Sequence, residues 1–211
     1  MIAEADVALT DYALALLCAW CAARTAHGPA RRVRPWATLL LVSVGLGALI
    51  GGTAHGFAPD HAGPAFRWLW SATMLCLGGA GLALAGLAAA IALTPRGERM
   101  AVVGVALLLI PYAVLVVVFR APFWWALAAY LPALVAFLGA LLIDSLRRRD
   151  ATHAAGIASV LITVFAALLQ SRLIASAPLN HNVAYHLLQM VAMLLIPLWT
   201  HCEARFHAQP T

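Results

Sequence analysis

The sequence has no lysine, and charged side chains make up only 10% of its 211 residues. A soluble domain carries about 25%. With 64% hydrophobic residues, that scarcity excludes a soluble globular protein and points to an integral membrane chain. A membrane β-barrel is excluded too, because the apolar segments run far longer than its strands of roughly 10 residues. The formal net charge of +5 rests on arginine alone. These arginines sit in short loops, so the basic balance reads as a topology signal, and nucleic-acid binding is not expected. A disulfide framework is missing as well. Of the four cysteines, Cys18, Cys21, Cys76 and Cys202, three lie within apolar segments. Cys18-Ala19-Trp20-Cys21 has redox spacing but no thioredoxin-like context, and two small core residues are expected there. The first apolar segment has no basic leader. Glu4 and Asp6 precede it and its arginines follow, so it is not read as a cleaved signal peptide. No glycine-rich phosphate loop or nucleophile elbow occurs.

What is present is a series of seven apolar segments, approximately 7–23, 36–58, 66–93, 100–119, 123–143, 153–175 and 183–200. At 1.5 Å per residue each can cross about 30 Å of hydrocarbon, the longer ones with tilt. Gly28-Pro29, Pro35, Pro59, Gly63-Pro64, Pro95, Gly97, Pro122 and Pro178 punctuate them. The expected fold class is therefore all-α: one seven-transmembrane helix bundle with no second domain. Ten arginines follow the odd-numbered segments, whereas Arg67, Arg120 and Arg172 are the three on the other side. The positive-inside rule then predicts an outside N-terminus and a cytoplasmic C-terminus.

Small residues crowd segments two and three. Gly47 to Gly51 and Gly52 to Gly56 are both GxxxG matches, and Gly78, Gly79 and Gly81 follow. Such faces let helices approach closely, and packing within one chain is expected rather than a dimer seam. Pro111, Pro132 and Pro197 fall inside spans, where neighbouring helices can satisfy the freed carbonyls.

Polar groups in the spans carry the functional signal, because they are costly in a bilayer and usually face a partner or a wet cavity. Asn182, His186 and Gln189 are spaced i, i+4, i+7 and share one helical face. His181 lies about 140° from His186 and does not share it. Asp11 sits roughly 6 Å into segment one. His55 lies near the outer end of segment two, and Gln170 and Arg172 toward the outer end of segment six. Asp11, His55, Asn182, His186 and Gln189 are thus expected to converge in the outer third of the bilayer, with Asp60, His61 and His181 just above. The inner half looks nearly free of ionisable groups.

Three chemistries fit that layer. Zinc could be held by His55 and His186, with Asp11 or His181 as third ligand and one position open for an activated water. Asn182 or Gln189 would then orient the water or a substrate carbonyl. A bis-histidine haem could bridge segments two and seven. Without any cofactor, Asp11, His55 and His186 would hydrogen-bond across helices, at about 0.6 kcal/mol per bond on average. Elsewhere, Glu98 and Asp144 are expected in solvated salt bridges among arginines. His27, His153, His201 and His207 are expected to be solvated, and Trp68, Trp70, Trp124, Trp125 and Trp199 to form an aromatic belt.

Seven spans, Gly52-Thr53-Ala54-His55-Gly56 and Asn182-Val183-Ala184-Tyr185-His186 together resemble the superfamily of alkaline ceramidases and progestin/adiponectin receptors. The first stretch looks like its second-helix histidine motif and the second like its seventh-helix HxxxH. Asn182 stands where the first histidine of HxxxH belongs, Gly51 where a serine would be, and segment three has no aspartate. The Asn180-to-Gln189 stretch is closer still to uncharacterised bacterial seven-helix proteins with an NHN-x-x-[YF]-H-x-x-Q signature. The resemblance implies zinc on His55 and His186 and hydrolysis of a lipid amide or ester, or of a small amphiphile. Asp11 is the candidate general base or third ligand, and Asn182 and Gln189 are candidate oxyanion donors. The alternative is a receptor or carrier for a lipid or small ligand with a metal-free polar pocket. Either would work among membrane lipids, in the inner membrane of a bacterium.

Overall fold

The computed structural model describes residues 3–28, 30–171 and 180–208. Pro29, Arg172, Pro178 and the side chain of His207 lie outside the described residues. The described chain forms α1 (Ala5–Ala26), α2 (Arg34–Phe57), α3 (Pro64–Ala92), α4 (Pro95–Val117), α5 (Trp124–Arg148), α6 (Ala154–Gln170) and α7 (His181–Ala208). No strand occurs among the described residues. All but α6 are long and apolar enough to cross a membrane.

Local chemistry sets the helix starts. Prolines open α2, α3 and α4 at their first turns, where a missing N–H costs no intrahelical bond. Thr94 caps α4 by accepting from the Gly97 N–H at 3.4 Å, which starts this helix five residues before the apolar run. Asn180 caps α7, its Oδ1 accepting from the Asn182 N–H at 3.0 Å. That cap makes His181 the first helical residue. The helix also runs past the apolar segment at its other end, to Ala208.

Connections are short, so successive helices alternate in direction. α1, α2, α3, α5, α6 and α7 close a ring, and α4 packs outside it against α3. Only Tyr112 and Val116 of α4 are buried; Leu107, Leu108, Ile110 and Val118 are among its exposed apolar side chains. Among the described residues, a void of only about 10 Å³ lies between Leu40, Leu84, Phe137 and Ile196. Leu40, Leu84, Phe137, Leu141, Ile196 and Trp199 fill the middle.

Glycines permit the closest approaches, all within the chain. A Cβ at Gly45 would lie 2.9 Å from the Cys18 Cβ, and one at Gly52 would lie 2.8 Å from the Asp11 Cβ. A Cβ at Gly86 would run into the Trp36 ring. Cys18 and Cys21 are buried, free core residues. All these contacts are glycine faces admitting a neighbouring helix.

Candidate functional site

The end of the bundle at the start of α1 holds the first polar cluster. Close approach at Gly52 brings Asp11 against α2, and a Cβ at Gly51 would lie 3.7 Å from Asp11 Oδ2 and 3.8 Å from Thr73 Oγ1. From the other side, α7 delivers His186. Asp11 is 5% exposed and His186 7%. Asp11 Oδ1 lies 3.1 Å from His186 Nε2, and Thr10 Oγ1 lies 3.0 Å from His186 Nδ1. Thr10 Oγ1 also lies within donating distance of the Asp6 and Val7 carbonyls. Nδ1 of His186 is thus in hydrogen-bond reach of Thr10, and Nε2 faces the Asp11 carboxylate.

His55 belongs to a separate pair. The Ala3 and Glu4 N–H groups donate to the Gly56 and His55 carbonyls at 3.1 and 3.3 Å, which ties the start of the chain to the end of α2. Glu4 Oε2 then lies 2.7 Å from His55 Nδ1, and Glu4 Oε1 lies 3.9 Å from His61 Nε2. Phe66 and Trp70 set their rings edge-on to the His55 imidazole.

On α7, the carboxamide oxygens of Asn182 and Gln189 are buried without a hydrogen-bond partner among the described residues. Gln189 is only 2% exposed. Such an orphan costs about 1–3 kcal/mol unless a donor arrives. Gln170 Oε1 on α6 is likewise unpartnered. His181 makes no hydrogen bond or ion pair with Asp11, His55 or His186 among the described residues. Its place at the start of α7 turns it about 140° from His186.

The structure therefore brings Asp11 to His186, but it joins His55 to Glu4 rather than completing one metal centre. Among the described residues no group of three or more His, Cys, Asp or Glu side chains has the arrangement to hold a metal ion.

The opposite end overturns two expectations. His153 is not solvated but fully buried, and Trp199 is not in an interfacial belt but equally buried. The Trp199 indole N–H donates to His153 Nδ1 at 3.0 Å. An indole nitrogen can only donate, so Nδ1 carries the lone pair and Nε2–H donates to Asp144 Oδ2, at 2.7 Å. Asp144 also meets Arg148 Nε at 2.6 Å, and Arg148 donates twice to Glu203, at 3.2 and 3.3 Å. Asp144 is thus part of a four-residue ionic network, not an isolated surface salt bridge, and this half of the bundle is not free of ionisable groups. Glu203 went unnoticed in the sequence because it follows the apolar run; continuing the helix by one turn would have placed it beside Trp199. Glu98 does form the expected ion pair, with Arg32 at 2.8 Å, and also accepts from the Trp36 indole.

Neither a curated protein nor a solved structure matches the chain. A model of the family of unknown function DUF6962 matches residues 7–198. That span reaches all seven helices and includes Asp11, His55, His153 and His186, though it stops short of Glu4, Trp199 and Glu203, and the chain belongs to this family.

Proposed function

We propose that the chain is a seven-span membrane receptor or carrier that binds the polar head of a lipid or small amphiphile, without a metal, at the Asp11–His186 site. The N-terminus faces outside and the C-terminus the cytoplasm of a bacterium, as the arginine asymmetry requires. The site then opens in the outer third of the membrane.

The carrying observation is the state of the hydrogen bonds. Thr10 and the Asp11 carboxylate flank the two ring nitrogens of His186, whereas the oxygens of Asn182 and Gln189 on the same helix lack donors among the described residues. The unmet need is for donors, and a hydroxyl or amide N–H on a lipid head supplies them.

The test is lipid and metal analysis of the purified full-length chain. A donor-bearing amphiphile should co-purify with the wild type, without stoichiometric zinc. It should be lost from Gln189→Leu at unchanged helicity. Equal lipid content in both proteins sinks this reading. One observation favours a metal-dependent hydrolase of a lipid amide or ester as the second reading: Glu4 beside His55 is the kind of carboxylate that commonly orients a zinc-binding histidine. Stoichiometric zinc that disappears in both His55→Ala and His186→Ala would put that reading first.

A further inference from the structure

A second site lies at the same end of the bundle, on its outer face where the start of α3 meets the end of α4. Arg67, Trp68 and Ser71 line it from α3, and Val117, Val118 and Arg120 close it from α4 and the turn beyond. The cavity measures about 160 Å³. A water occupies about 30 Å³ in the liquid, so a tetrahedral oxyanion has room.

Two guanidinium groups share this space. Among the described residues neither makes an ion pair or a hydrogen bond. The Glu98–Arg32 and Glu203–Arg148 pairs show how the chain treats arginines it uses structurally. Both arginines are exposed, so an anion is free to enter between them, and the planar guanidinium fork matches phosphate oxygens in particular. Ser71 adds a hydroxyl. Arg120 also holds a left-handed backbone, φ 52, a conformation in which glycine is at less cost. The side chain carried there lines the cavity.

What surrounds the cavity points to a lipid. Trp68, Val118 and Phe119 are all more than half exposed beside it, and α4 continues below as an apolar exterior. A headgroup seated between the arginines would leave its acyl chains along that face. On the orientation above, Arg67 and Arg120 are also two of the three arginines placed against the positive-inside bias. We propose that Arg67 and Arg120 form a binding site for a phosphate group, carried by an anionic phospholipid of the outer leaflet. The proposal rests on the membrane reading but not on the Asp11–His186 site.

The test uses the full chain in neutral detergent and follows its melting midpoint with added phosphatidylglycerol, phosphatidylcholine or inorganic phosphate, since a ligand of the folded state raises it. Phosphatidylglycerol should stabilise the wild type most, and Arg67→Gln and Arg120→Gly should each need about tenfold more of it, as loss of one charge-assisted contact implies. Arg120→Gly relieves the left-handed backbone, so its weaker response cannot be ascribed to misfolding. A response to inorganic phosphate as strong as to phosphatidylglycerol, and lost in both variants, would retain the phosphate site and replace lipid by a free anion as its source. Identical titrations of wild type and both variants with every additive would overturn the proposal. Neither result bears on amphiphile retention in Gln189→Leu, so the two sites stand or fall separately.

Discussion

The two ends of the bundle carry polar clusters of similar size and opposite character. At the His153 end the cluster is matched within itself, Trp199 to His153, His153 to Asp144, and Arg148 to both Asp144 and Glu203, although Thr25, Thr38 and one Asp150 oxygen near that end also lack a partner among the described residues. At the His186 end two carboxylate–histidine pairs stand beside carboxamide oxygens that have no donor. A matched network in a low-dielectric interior rigidifies the helices that carry it. An unmatched buried acceptor is a cost that a water or a ligand with a donor would remove. The first cluster joins α5, α6 and α7 as a staple; the second is where binding is to be sought.

The comparison breaks most directly at Arg148. Arg148→Met should remove the cation that bridges the buried Glu203 to Asp144 and lower stability by about 3–5 kcal/mol, read as the melting midpoint in detergent. A loss no larger than that of an exposed arginine would remove the distinction between the ends. His153→Leu should cost less, about 1–3 kcal/mol for the Trp199 N–H it orphans, because Asp144 keeps Arg148; a changed Trp199 fluorescence should accompany it. Gly52→Ala should cost about 1–3 kcal/mol by overpacking, and it should also weaken amphiphile retention by pushing Asp11 away from α2. Gln189→Leu sharpens the contrast by its sign. With lipid stripped away, it should leave stability unchanged or raise it by up to about 1–3 kcal/mol, because it removes an orphan rather than a bond.

The smallest effect is expected in the turn between α5 and α6. The Thr152 N–H donates to Asp150 Oδ1 at 2.8 Å and holds the Asp150 carboxyl below its ordinary range. A lowered carboxylate contributes stability above its unfolded value, and that contribution fades as pH falls through the folded value. The gap in melting midpoint between wild type and Asp150→Ala should therefore be present at neutral pH and close in strong acid. A gap that widens in acid would contradict the assignment.

Much of this was legible in the chain. Scarcity of charge, seven apolar runs and proline punctuation determined an all-helical architecture, because backbone groups away from water must be satisfied within helices. Spacing along α7 put Asn182, His186 and Gln189 on one face, since helical periodicity is a local property. Partner choice was not legible. Whether His186 meets Asp11 or His55, and whether His55 turns to Glu4, depends on a few ångströms of helix approach at Gly51 and Gly52. Burial of His153 and Trp199 was hidden for the same reason: residues at helix ends look solvated until three helices converge over them. Sequence determines which groups are available and at what depth; only the packing of helices distant in the chain decides which of them touch, because hydrogen bonds form within about 3 Å and no one-dimensional pattern specifies that distance.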